Sequence, residues 1–263
     1  LPPASYVAGN SFAYKVGEKL DINALRQQFQ RAGYHCVDTV YEHGEYAVRG
    51  ALIDVFPMGS KHPFRIDLFD DEIETLRSFD AESQLTLEKT DSISLLPAKE
   101  FPQTDTGTKR FLDNWHLQFD VDPRECTLYQ SIRSGNTPSG IEYYLPLFFE
   151  QTATLFEHLP ANTLLFADSE INAAASSFWH EAVDRYESYG VDPTRPLLKP
   201  AQLFMPVEEL FSAIGKLPRT DIQYQSLATA SANYNFATQL LPDLSVDSKA
   251  SQALEKLDNF LLE

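Results

Sequence analysis

The chain has 263 residues, of which 43% are hydrophobic and 22% charged, a composition typical of a folded globular protein. No apolar run approaches the ~20 residues that cross a bilayer. The two cysteines, Cys36 and Cys126, are too few for a disulfide framework or a tetrahedral metal site. We therefore expect a cytoplasmic protein with reduced thiols and no metal. The first residue is Leu1 rather than Met, and the sequence shows no signal peptide. We therefore also expect it to begin inside a longer protein.

The net charge is −17, from 38 acidic and 21 basic side chains. Proteins that bind duplex DNA draw much of their affinity from Lys and Arg at the phosphates. A field of this sign argues against direct DNA binding and favours a partner with a basic face.

The first hundred residues are typical of an α+β module. Asp21 is a predicted N-cap for a helix that Gly33 ends, since glycine tolerates the left-handed conformation that follows helices. Alternation of apolar and polar residues predicts short strands, which tight turns would join into antiparallel hairpins with the helix on one face. The predicted strands are 36–41, 45–49, 52–56, 64–69 and 73–79.

From Pro97 onwards the pattern changes to alternating helices and strands, typical of an α/β half-domain. The periodicity predicts helices at 104–119, at 171–189 and after Pro206, and buried strands at 163–166 and 203–205. Residues 227–247 are weakly patterned and indicate a linker. Leu254, Leu257 and Leu261 then recur at helical spacing.

Motifs that would indicate an enzyme are missing from this sequence. It contains no GxxxxGK[ST], GxGxxG, GxSxG or HExxH. The predicted strand-to-helix turn at 167–170 is Ala-Asp-Ser-Glu, whose acids would repel phosphate. The acids between Asp67 and Glu74 are consistent with either a divalent cation site or a solvated hairpin turn, and their spacing favours the turn.

The predicted strand Phe64–Phe69 places Ile66 and Leu68 on one face and Arg65, Asp67 and Phe69 on the other. An exposed aromatic beside an arginine is typical of a protein–protein contact. The alternative is that a neighbouring element covers Phe69 and that Arg65 pairs with Asp67. The residues alone do not decide between the two.

The run His43-Gly-Glu-Tyr-Ala-Val-Arg-Gly-Ala-Leu-Ile-Asp-Val-Phe-Pro57 resembles a block shared by two groups of bacterial repair proteins. These are the excision-repair helicase subunit UvrB and the Mfd family of transcription-repair coupling factors. Arg65–Glu74, Arg77–Asp80 and Leu95–Phe101 resemble the same proteins in order and spacing. Further runs at 56–60, 140–149 and 190–198 are similar to the Mfd family.

The resemblance implies a mixed fold, with a helix-backed antiparallel sheet module (1–98) and a degenerate helicase-like α/β half-domain (99–240). A linker and the first helix of a further domain would follow (241–263). The implied partner of residues 1–98 is UvrA, the damage-sensing ATPase. The implied UvrA-binding residues are Arg49, Arg65 and Phe69, while Ala47 stands where UvrB often has another Arg.

The resemblance also implies that this region carries no catalytic residues and no cofactor. ATP, Mg²⁺, RNA polymerase and double-stranded DNA would engage only other domains of an ATP-driven translocase. Another domain of the longer protein would be able to mask the UvrA-binding surface. A UvrB-like helicase fragment that binds nucleotide is the alternative. We expect Arg65→Ala or Phe69→Ala to abolish UvrA binding while leaving thermal unfolding nearly unchanged.

Overall fold

The computed structural model describes residues 1–228, 230, 232–237, 244–246, 252 and 254–262. Helices and strands are numbered here in chain order. The helices are α1 (Ala4–Gly9), α2 (Ile22–Arg31), α3 (Asp105–Gln118), α4 (Thr127–Arg133), α5 (Ile171–Tyr189), α6 (Pro200–Leu203), α7 (Val207–Ile214) and α8 (Glu255–Leu262). The strands are β1 (Phe12–Lys15), β2 (His35–Cys36), β3 (Glu45–Arg49), β4 (Leu52–Val55), β5 (Phe64–Phe69), β6 (Glu72–Phe79), β7 (Thr86–Thr90), β8 (Ser92–Leu95), β9 (Leu165–Asp168) and β10 (Arg219–Ile222). Two 3-10 helices span Ile141–Phe148 and Leu155–His158.

Strands β2 to β7 form one six-stranded sheet in chain order. Strands β3 to β7 pair antiparallel with their neighbours, which confirms the predicted hairpins, whereas β2 pairs parallel with β3. The strand predicted at 36–41 is wrong, because β2 ends at Cys36 and the chain continues as a loop. Val40 of this loop is buried in a small cluster with Ala47, Phe56 and Phe79. Strands β1 and β8 form a separate antiparallel pair.

Helix α2 covers one face of this sheet, as predicted. The side chain of Asp21 accepts hydrogen bonds from the amides of Asn23 and Ala24, so it caps the helix. Leu25 and Phe29 are buried and share a core with residues of β1, β3, β4, β5, β6 and β8. The helix-backed sheet of the predicted fold class is therefore confirmed.

A second hydrophobic core lies in the following α/β region, around Phe111 and Trp115 of α3. Residues of α4 and of the first 3-10 helix complete this core. Helix α1 belongs here as well, because Tyr6 packs edge-on against Phe149 and donates a hydrogen bond to the carbonyl of Lys99. The two kinds of core confirm the mixed fold class, while the boundaries at residues 98 and 240 stay predictions.

Three local predictions in this region had different outcomes. Pro206 does precede a helix, α7. The strand predicted at 203–205 is wrong, since Pro200 instead begins helix α6 and the chain is extended after it. The strand predicted at 163–166 forms instead at Leu165–Asp168, as β9, and Ala167 is its one buried residue.

Internal contacts divide the chain into two compact units, residues 1–165 with 170–220 and residues 166–169 with 221–263. In the smaller unit, the hydroxyl of Tyr224 donates a hydrogen bond to Asp168, and α8 confirms the helix predicted from the leucine spacing. The predicted linker at 227–247 and the start of the 241–263 segment lie partly outside the described residues. Over the part of the chain that the structure describes, no helix is both long and apolar enough to span a bilayer.

Candidate protein-interaction face

Residues that alternate with the core residues of β3 to β6 lie on the sheet face opposite α2. Ile53, Ile66 and Leu76 form a row that faces the core, which leaves the other set of side chains outside it. We call this outer surface the polar face, and its defining residues are Arg49, Asp54, Arg65, Asp67, Phe69 and Arg77.

A buried carboxylate lies at the centre of the polar face. Asp54 is only 1% exposed and lies directly opposite Arg65 in the β4–β5 register. Nε of Arg65 donates to Oδ1 at 2.7 Å, and Nη2 donates to Oδ2 at 2.9 Å. Nη2 of Arg49 donates to the same Oδ2. One carboxylate therefore binds two arginines that belong to different strands.

Arg65 is enclosed more than the sequence indicated. Its side chain is 15% exposed, against 45% for that of Arg49. The guanidinium lies 4.6 Å from the ring centroid of Phe79, a cation–π contact. Hydrogen bonding to Asp54 raises the pKa of Arg65 above its usual value, so the group is fully charged. Among the described residues, Nη1 has no hydrogen-bond acceptor, which leaves one edge of the guanidinium available.

Phe69 is the last residue of β5 and is 73% exposed. It is followed by Asp70, whose positive φ of 59° begins the turn into β6. The ladder beside it is irregular, since the register shifts between Asp67 and Leu68. The backbone thus holds a large aromatic ring in solvent at the end of a paired strand, and none of the described elements covers it.

The alternative pairing of Arg65 with Asp67 is wrong. Asp67 instead forms an ion pair with Arg77 and accepts a hydrogen bond from Thr75, both of which lie on β6. Nε of Arg77 is buried without a hydrogen-bond partner. Two separate carboxylate–arginine clusters therefore lie side by side on the polar face.

The acids after Asp67 form the hairpin turn that their spacing favours. Asp70 and Asp71 connect β5 to β6, and Lys19 pairs with Asp71 at 2.8 Å. This contact lowers the pKa of Asp71. In the part of the chain that the structure describes, no group of three or more His, Cys, Asp or Glu side chains is arranged to hold a metal ion.

The sequence analysis missed two members of this surface, Asp54 and Arg77. A signal for Asp54 was present, because it is a charged residue between Ile53 and Val55 in a strand that is otherwise buried. Only the β4–β5 register shows which arginine faces it. Arg77 lay within a quoted family motif, but period-two spacing along a single strand carries no information on contacts across the sheet.

A comparison with known protein families matches the part of the chain that carries the polar face. Residues 12–101, from the start of β1 to Phe101, match the family described as UvrB interaction domain. This range contains the whole six-stranded sheet and the polar face. The first part of the chain is therefore similar to the UvrB interaction domain family.

Relatives that match the rest of the chain identify the larger family. The chain is 45% identical over 260 residues to the transcription-repair-coupling factor of Escherichia coli, which is 98% of this chain and 23% of that protein. The corresponding protein of Haemophilus influenzae is 42% identical over 99% of this chain and 23% of its own length. That of Bacillus subtilis is 30% identical over 64% of this chain and 16% of its own length.

The chain thus corresponds to a segment of the transcription-repair-coupling factors, which confirms the resemblance drawn from the motifs. It spans about a quarter of the length of the Escherichia coli and Haemophilus influenzae proteins.

Proposed function

We propose that the polar face is a docking surface for UvrA and that Arg49, Arg65 and Phe69 make the contacts. The observation that carries this proposal is the exposed ring of Phe69 beside two arginines on paired strands of the region similar to the UvrB interaction domain family. Aromatic and arginine side chains dominate the binding energy of protein interfaces, because a ring fills a pocket and a guanidinium forms paired contacts with carboxylates.

Charge supports an acidic partner at this surface. The defining residues of the polar face are three arginines and two aspartates, a small excess of positive charge on a chain with a net charge of −17. The acids Asp70 and Asp71 lie in the turn beside Phe69. The overall charge suggests a partner with a basic face, whereas the arginines of this surface favour an acidic one. Complementary charge steers an acidic surface towards the face and disfavours misdirected encounters.

In the longer protein, we propose that this docking brings UvrA to RNA polymerase stalled at DNA lesions. The names of the relatives join transcription to repair. ATP hydrolysis, polymerase contact and duplex DNA translocation would belong to other parts of such a protein. Another domain could mask the polar face until those parts engage, in which case this chain would bind UvrA more tightly than the full-length protein.

The test is the affinity of purified UvrA for the chain and for Phe69→Ala, measured by biolayer interferometry. Loss of an aromatic ring that acts as a hot spot costs about 2 kcal/mol or more, which is about 30-fold in affinity. Arg49→Ala is the second variant, because its side chain is half-exposed and its loss leaves Arg65 on Asp54.

Matched controls come from the same module. Leu85→Ala removes an apolar side chain of similar exposure, 68%, from the connection between β6 and β7, and Arg31→Ala removes an exposed cation of α2. Both should bind UvrA as the unchanged chain does. Wild-type affinity in Phe69→Ala and Arg49→Ala, with folding intact by circular dichroism, would refute the proposed contacts.

A further inference from the structure

We propose that Asp54 is a positioning residue of the docking surface, which acts by holding Arg49 and Arg65 in their binding geometry. This inference rests on the proposed function, because it assigns a role within the same interface. Asp54 is 1% exposed and cannot itself reach a partner in the folded protein. Any effect of Asp54 on docking must therefore pass through the two arginines.

The sheet register explains how one carboxylate reaches both arginines. Asp54 lies between Ala47 of β3 and Arg65 of β5 in the ladder. Ala47 is fully buried, and its side chain is only a methyl group. Because the methyl group is small, it leaves room on the β3 side of Asp54 for a long side chain. Arg49, two residues along β3 on the same face, fills that space and donates to Oδ2. The carboxylate thus connects three neighbouring strands.

Holding the arginines in advance would strengthen docking. Arginine is long and rotamer-rich, and ordering such side chains at an interface opposes binding. The bonds to Asp54 fix both guanidiniums before any partner arrives, and Nη1 of Arg65 still lacks an acceptor among the described residues. A carboxylate of the partner would meet a donor that is already oriented.

The opposite role is also chemically reasonable, and it makes the opposite prediction. If Asp54 only competed with the partner for the arginines, its neutralisation would free both cations and tighten docking. If Asp54 positions them, neutralisation leaves the charges but loses the geometry. The two roles therefore differ in the sign of the change in dissociation rate.

The experiment measures association and dissociation rates of UvrA with the whole chain carrying Asp54→Asn. We expect dissociation about tenfold faster, the effect of leaving two arginines to be ordered on binding. We expect the association rate not to fall, because the variant has one negative charge fewer on the cationic face. Asp67→Asn is the matched control, since it makes the same charge change on the same face but releases Arg77 rather than Arg49 or Arg65.

An unchanged or slower dissociation of Asp54→Asn would overturn the positioning role while leaving UvrA docking intact. Equal acceleration in Asp67→Asn would also overturn it, because the effect would then follow charge alone. If the unchanged chain does not bind UvrA, the proposed function itself fails, and the positioning role fails with it.

A second measurement needs no variant and no partner, so it applies even if Asp54→Asn folds poorly. In the ¹⁵N-labelled chain, Nε–H of Arg65 donates to the buried Oδ1 of Asp54, so we expect a sharp signal that exchanges slowly with water near neutral pH. Nε–H of the exposed Arg31 is the internal reference. Equally fast exchange at both sites would show that Asp54 does not hold Arg65, and would overturn the proposal.

Discussion

Arg65→Ala should destabilise the fold as well as the docking surface. Arg65 is the main partner of the buried Asp54, through two hydrogen bonds, and its guanidinium also contacts Phe79. The prediction made from the sequence, that alanine at this position leaves unfolding nearly unchanged, therefore needs to be reversed. An alanine at residue 65 would leave a buried carboxylate with Arg49 alone.

The size of this effect follows from the burial. Removing one partner of a buried ion pair costs about 3–5 kcal/mol. Because Arg49 still donates to Asp54 in the variant, we expect the lower end, about 3 kcal/mol of unfolding free energy. With a urea dependence of about 1–3 kcal/mol per molar, the unfolding midpoint falls by about 1–3 M.

Urea unfolding followed by far-UV circular dichroism, together with amide exchange in β4 and β5, measures this loss. Tryptophan fluorescence is unsuitable, because Trp115 and Trp179 both lie outside residues 12–101. The double variant Asp54→Leu/Arg65→Leu should be more stable than Arg65→Ala alone, because it also removes the buried carboxylate of Asp54. An Arg65→Ala midpoint equal to that of Arg31→Ala would refute this reasoning.

Three further predictions concern the framework of the fold. Gly107→Ala should destabilise the chain by about 1–3 kcal/mol in urea unfolding, because the added Cβ would lie 2.4 Å from the carbonyl oxygen of Pro102. Alanine favours helices, so a gain in stability would contradict this close approach. Asp21→Ala should cost about 1 kcal/mol by the same assay, through loss of the α2 cap, and no change would show that the cap does not contribute. Burial raises the pKa of Tyr34 to about 12, so its contribution is complete below pH 10 and is lost as pH rises from 10 to about 12. Tyr34→Phe should lose less stability over that range, and an identical alkaline decline would count against the burial.

Strands with strong alternation were predictable from the sequence, and strands with little apolar content were not. β3 and β5 match their predicted bounds, because each alternates between a core side and an outer side. β7 is exposed along most of its length, so it has no apolar period to detect. β1 and β8 pair with each other across some eighty residues, and no local pattern indicates that pairing.

The polar face itself was only partly predictable. Period-two spacing correctly placed Arg65 and Phe69 opposite the core, and the exposure of Phe69 agrees with an interaction role. The alternative prediction, that Arg65 pairs with Asp67, was wrong because Asp67 is bound by Arg77 on β6. Cross-strand neighbours decide such pairs, and they depend on register rather than on sequence distance.

The most direct test of the account is hydrogen–deuterium exchange of the whole chain with and without UvrA. If the polar face is the docking surface, UvrA slows amide exchange in β3 to β5 and in the turn after Phe69, and leaves α3 and α5 unchanged. Slowed exchange confined to α5 or to the region around α3, with β3 to β5 unaffected, would contradict it.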